Sequence, residues 1–69
     1  MYNYAKLLGK IKERGYTQEK LAASIGLSAT ALNNKLKNKV EFKVSEIEAI
    51  CNALDINKNQ ASDYFLVSM

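Results

Sequence analysis

The segment Thr17–Asn38, TQEKLAASIGLSATALNNKLKN, leaves this chain few ways to fold. Gln18 opens it, Ala22 follows four residues on and Gly26 four beyond that, with apolar Leu32 and Leu36 in the second half. That spacing predicts two short helices crossing around a Gly-centred turn, a helix-turn-helix. Ala22 is small where the helices cross, Gly26 can take the positive φ that reverses the chain, and Leu32 returns the second helix to the core.

A chain of 69 residues buries only about 60 % of its unfolded surface, so a single domain over residues 1–69 with one shared core is expected. It has no room for a deep catalytic cleft. One cysteine and no histidine exclude an internal disulfide and the usual four-ligand zinc site, and no cofactor or metal is expected. No apolar run approaches the roughly 20 residues that span a bilayer. The opening MYNYAKLLGK also lacks a signal-peptide core, so a cytoplasmic protein without a membrane partner is the default expectation.

The net charge of +3 is small but segregated. Met1–Lys43 carries nine Lys and Arg against three Glu, net +6, whereas the chain from Val44 onward carries one Lys against four acidic residues, net −3. Such asymmetry suits a polyanion-binding face backed by an acidic one. Lysines that merely solvate helix surfaces explain the count but not the segregation.

Proline is absent and helical periodicity recurs, so the expected class is all-α, a compact five-helix domain. The first helix is predicted over Tyr4–Arg14 behind an Asn3 cap, with Tyr4, Leu7, Leu8 and Ile11 inward and Gly15 as its stop. Gly9 weakens it unless a neighbouring helix passes close. Thr17 caps a second helix, Gln18–Ile25, and Ser28 a third, Ala29–Lys37, with Leu27 stapling the turn into the core. In the following loop, Asn38–Val44, Phe42 or Val40 is expected to plug the underside. Ser45 and Glu48 form an S-x-x-E capping box for a fourth helix whose apolar stripe is Ile47, Ile50, Cys51 and Leu54. Cys51 in that stripe reads as a small buried hydrophobe. The last element, Lys58–Leu66 behind an Asn57 cap, carries Ala61, Tyr64 and Phe65, and its YFLV end fits either helix or extended strand.

The residues Gln18, Leu21, Ala22, Ile25, Gly26, Ser28, Leu32 and Leu36 resemble the helix-turn-helix of the phage repressor and Cro family, the lambda-repressor-like fold. The likeness runs on through NKLKNKVEFKVSEIEAICNALDI and DYF, nearly the whole chain. It implies a lambda-repressor-like DNA-binding domain, a Cro-like transcriptional regulator that sits as a homodimer on a palindromic double-stranded DNA operator. Lys35 departs from the family pattern, falling where several relatives carry an apolar residue, and Leu36 takes over the burial.

A helical wheel of the third helix, with Leu32 and Leu36 inward, turns Thr30, Asn34 and Lys37 outward and Asn33 and Asn38 to the flanks. Asn pairs bidentately with adenine in the major groove, and Thr or Ala meets a thymine methyl. Ser28, Ala29, Thr30, Asn33 and Asn34 are therefore the base-reading candidates. Gln18 and Thr17 at the start of the second helix, and Lys35, Lys37, Asn38, Lys39 and Lys43 on or after the third, are DNA-backbone candidates. For Thr17 the reading as a cap outweighs the contact, because a capping hydroxyl satisfies its own helix and needs no DNA. Tyr64 and Phe65 either close the core or, beside Leu66 and Val67, form an apolar patch that a second subunit covers, so these four are the dimer candidates; the resemblance to Cro-like dimers implies one aromatic inward and the other toward a second copy.

The alternative from another class is a protein-interaction module, antirepressor- or antitoxin-like, that keeps the fold without specific DNA binding. The polarity of the third helix counts against it, because protein-binding faces favour Trp, Tyr, Arg or Met anchors. An enzyme is not expected: there is no histidine base, and Glu46, Glu48, Asp55 and Asp63 are scattered rather than paired at a cleft. No small-molecule substrate is implied.

Overall fold

The structure, a computed structural model, describes residues 1–68, and Met69, the last residue of the LVSM terminus, lies outside the described residues. The described residues form five α-helices: α1 Ala5–Glu13, α2 Gln18–Ser24, α3 Ala29–Leu36, α4 Val44–Leu54 and α5 Ala61–Phe65, the last preceded by a 3-10 turn over Lys58–Gln60. The all-α expectation is met. Among the described residues, β pairing amounts to one antiparallel bridge between Tyr2 and Ser68, beside an Asn3 N–H that donates to the Val67 carbonyl at 2.7 Å. The YFLV segment is therefore divided: Tyr64 and Phe65 finish α5, and the residues after it run back along the N-terminus.

Helices α1 to α4 all stop in the same way. Each is followed by a residue with positive φ: Gly15, Gly26, Asn38 and Asp55. The next residue then donates its N–H back into the helix, Tyr16 to Ile11, Leu27 to Ala22, Lys39 to Asn34 and Ile56 to Cys51, at 2.8–3.0 Å. This Schellman geometry satisfies carbonyls that the helix end leaves open. At Gly26, φ 76°, glycine meets no Cβ penalty, and the chain turns there from α2 into α3. Asn38 and Asp55 do the same work with the side chains that best tolerate a left-handed backbone.

The helix starts are set by side-chain oxygens. Thr17 Oγ1 accepts from the Lys20 N–H and Ser28 Oγ from the Ala31 N–H, both at 3.1 Å. α4 departs from expectation, beginning at Val44 ahead of Ser45. Glu46, rather than Glu48, folds back to accept the Lys43 N–H at 2.8 Å, so the N-terminal cap forms two residues earlier than the S-x-x-E pattern suggested.

The core joins Tyr4, Leu7 and Ile11 to Leu21 and Ala22, Leu32 and Leu36, Ile50, Cys51 and Leu54, Ile56, and Tyr64 and Phe65. Burial follows the Tyr4–Leu7–Ile11 line of the first helix, which leaves Leu8 outward at 41 % exposure instead of inward. Phe42 plugs the α3–α4 loop, its ring edge-on to Tyr4 at 5.4 Å and to Phe65 at 5.3 Å, while Val40 is exposed. The Cys51 thiol is buried, and that burial pushes its pKa up, which suits an inert packing group.

One polar contact lies inside this apolar frame. Lys35 Nζ sits 3.0 Å from Glu46 Oε1, with the two side chains only 7 % and 10 % exposed, and the same ammonium donates to the Glu41 carbonyl at 3.1 Å. It joins α3, the loop and α4 at one point. Burial by itself would raise the Glu46 pKa, but the Lys43 N–H and the Lys35 ammonium outweigh it and hold the carboxyl below its ordinary value. The position therefore stays as buried as an apolar residue would make it, with its charge compensated.

Two consequences can be measured. No atom lies within 4 Å of where a Cβ would stand on Gly9, so no close approach requires glycine there. Gly9→Ala should stabilise the fold by about 0.5–1 kcal/mol in urea denaturation, and a lowered midpoint would contradict the open site. Lys35→Met alone strands the Glu46 carboxylate and should cost about 3–5 kcal/mol, whereas Lys35→Met with Glu46→Leu should recover most of that loss. Because the folded Glu46 pKa is depressed, its stabilising contribution is complete above the ordinary glutamate value, about 4.3, and drains away below it. The double variant should therefore lose less stability than the parent between pH 5 and 3, about the range of that titration.

Candidate functional site

Two surfaces compete for the role of working face. The first is the outer side of α2 and α3. Gln18 is exposed at the first turn of α2, Thr17 and Ser28 hold their caps, and Ala29, Thr30 and Lys37 are exposed while Asn33 and Asn34 are half-buried. Lys39 and Lys43 are also exposed in the loop that follows.

Two of the residues assigned to the DNA backbone are not free to serve there. Lys35 is buried, and its ammonium is held by Glu46 and the Glu41 carbonyl, so it does not reach a phosphate. Its stem leaves α3 beside Leu36 on the inward side, and both residues are buried. Asn38 uses both ends of its amide on one residue: Oδ1 accepts the Tyr2 N–H at 2.8 Å and Nδ2 donates to the Tyr2 carbonyl at 2.9 Å. The adjacent asparagines of α3 and its end thus do different work, and Asn38 is a structural clasp on the N-terminus.

The dimer assignment is corrected in the same way. Tyr64 and Phe65 are both buried, rather than one inward and one outward. Lys6 Nζ lies 4.8 Å and Lys10 Nζ 5.9 Å from the Tyr64 ring centroid, so α1 covers that ring. Phe65 is packed edge-on against Phe42. Leu66 and Val67 remain exposed beyond the end of α5.

The second surface is a concavity of about 170 Å³ lined by Tyr2, Tyr4, Phe42, Ile47 and Phe65, with Glu41 and Leu66 completing it. It gathers the N-terminus, the α3–α4 loop, the first half of α4 and the end of α5. The Tyr4 hydroxyl pKa is raised, first by burial and then by its neighbours Tyr2 and Glu41, which keeps it protonated and a hydrogen-bond donor. Four of the six aromatic residues of the chain line this pocket. Helical periodicity could not show it, because its walls come from three separate parts of the sequence that only the tertiary fold brings together. The available signal was the concentration of aromatics at Tyr2, Tyr4, Phe42 and Phe65 outside the long helices.

Neither surface contains metal-binding chemistry: among the described residues no group of three or more Cys, His, Asp or Glu could hold an ion. No described helix is long and apolar enough to cross a membrane.

With this geometry in hand, the comparisons with known proteins correct the functional expectation. The solution structure of the modulator of repression (MOR) of the temperate bacteriophage TP901-1 from Lactococcus lactis is similar to this chain, with 39 % identity and a TM-score of 0.79 over 93 % of this chain and 86 % of that one. No curated protein matches. The likeness is to a modulator of repression, and it overturns both the assignment to the phage repressor and Cro family and the operator-binding homodimer that this implied. The reason is physical. Ala22, Gly26, Leu32, Leu36 and the caps Thr17 and Ser28 are packing and termination residues, so they report how the helix pair folds and not what it touches. A family model described as "Protein of unknown function (DUF739)" matches residues 1–68, and the chain belongs to that family.

Proposed function

We propose that this chain is a modulator of repression in a temperate-phage or prophage circuit. It works as a protein-interaction module: it binds a DNA-binding repressor and changes how much of that repressor occupies its operator. The observation that carries this reading is the likeness to the modulator of repression over nearly the whole chain, at an identity well above that of a shared fold alone.

The geometry supports it from two sides. Two of the polar side chains that a phosphate-gripping helix pair would keep free are engaged inside the fold, Lys35 by Glu46 and Asn38 by Tyr2, which leaves Lys37, Lys39 and Lys43 outward. An aromatic-lined pocket stands elsewhere on the molecule, and aromatic side chains are the anchors that protein interfaces favour. Modulation then needs no chemistry beyond differential binding. A module that binds only the repressor free of DNA lowers its apparent operator affinity in proportion to the free module concentration over Kd. At a hundredfold excess over Kd, the effect is about a hundredfold, or about 2.7 kcal/mol.

Fluorescence anisotropy on a labelled operator tests the reading. The chain alone should leave the duplex unshifted at near-physiological salt, and adding it to a preformed complex of that operator with its repressor should change repressor occupancy in a saturable way. Saturable, sequence-dependent binding of the chain alone to the duplex, with repressor occupancy unaffected, would contradict the reading.

A further inference from the structure

The concavity between the chain termini and the α3–α4 loop is left open by the packing of the fold, and its size is informative. At about 170 Å³ it falls below the roughly 300–1,000 Å³ of sites for drug-sized molecules. It matches the space one ring or one branched aliphatic group fills, since an apolar cavity of about 150 Å³ accommodates benzene. Its walls are set in advance. Asn38 fixes the Tyr2 backbone from both ends of its amide, Lys35 fixes the Glu41 carbonyl, and Phe42 stands edge-on between Tyr4 and Phe65. A preformed pocket spares a partner the cost of ordering it. Leu66, 56 % exposed, extends the apolar lining to the surface. Glu41 adds a carboxylate that is exposed and unpaired among the described residues.

We propose that this pocket receives one bulky apolar side chain of a protein partner, Leu, Met or Phe in size, while a Lys or Arg within one helical turn of it on the partner meets Glu41. The proposal rests on the reading of the chain as a protein-interaction module and names the surface and the chemistry of the partner segment. Size excludes a small-molecule ligand of ordinary dimensions, and the lone carboxylate beside aromatic walls selects a basic neighbour over an acidic one.

Peptide selection by display of random dodecamers on the folded chain provides the probe. Enriched sequences should carry Leu, Met or Phe with Lys or Arg within four residues, one turn of helix. The best synthetic peptide should bind Leu66→Asp and Glu41→Lys variants about tenfold or more weakly, both changes lying at exposed positions with folding checked by circular dichroism. Replacing the basic residue of the peptide with Glu should restore binding to Glu41→Lys. Absence of enrichment, binding by either variant as tight as by the parent chain, or failure of the charge swap would overturn the proposal. So would a dimer in sedimentation that Leu66→Asp dissolves, since a second copy would then fill the pocket. The anisotropy experiment separates the two levels. If the parent chain changes repressor occupancy and both variants change it equally, the pocket is not the partner surface and the interaction reading stands. If the parent leaves occupancy unchanged, the reading fails and the proposal with it.

Discussion

The buried pair of Lys35 and Glu46 is the contact on which the rest of this structure depends. It puts a cation on the inward side of α3 and an anion on the first turn of α4, and the same ammonium holds the Glu41 carbonyl in the loop between. Glu46 in turn caps its own helix through the Lys43 N–H. An apolar pair would pack as well and at less desolvation cost, but it would not fix the loop backbone. With the loop fixed, Phe42 is delivered against Tyr4 and Phe65, and one wall of the aromatic pocket exists. The opposite wall depends on the Asn38–Tyr2 clasp at the end of the same helix. Two polar side chains of α3 and its C-terminal turn thereby shape a surface on the far side of the loop.

This arrangement explains why the helix pair was legible in the sequence and its purpose was not. Apolar spacing, the Thr17 and Ser28 caps and the Gly15 and Gly26 stops are local features that act within one helix or one turn, and each was readable without knowing the rest of the fold. Asn38 and Asp55 do the same stopping work as the glycines but could not be told from ordinary polar residues by spacing. The start of α4 departs from the S-x-x-E pattern because the cap is made by Glu46, whose carboxylate also meets Lys35 across the fold. A lysine in a polar helix is ordinarily exposed, and only the partner on α4 compensates the burial of Lys35. Its mismatch with an apolar position was the visible clue. The pocket needed three distant stretches of chain at once and left only an uneven placement of aromatics as its trace.

The charge segregation also takes on a different meaning. A net +6 over Met1–Lys43 counts residues that fold uses up. Lys35 lies in the buried pair, Lys10 is bound to Glu13 at 2.8 Å, and Lys6 and Lys10 lie over the Tyr64 ring. What remains outward is Lys12 and Lys20 together with a basic surface around Lys37, Lys39 and Lys43, and a separate aromatic-lined concavity stands at the chain termini and the α3–α4 loop. Surface charge of this kind speeds and orients protein encounters as readily as it attracts phosphates.

Amide hydrogen exchange on the full chain tests the central claim, that its working contact is with protein and not with the operator. Adding a repressor whose operator occupancy the chain changes should slow exchange at Tyr2–Tyr4, across Glu41–Ile47 and after Phe65, while the operator duplex alone leaves α3 unchanged. Protection of Ala29–Lys37 by the duplex alone, with the pocket residues unaffected by repressor, would contradict the account.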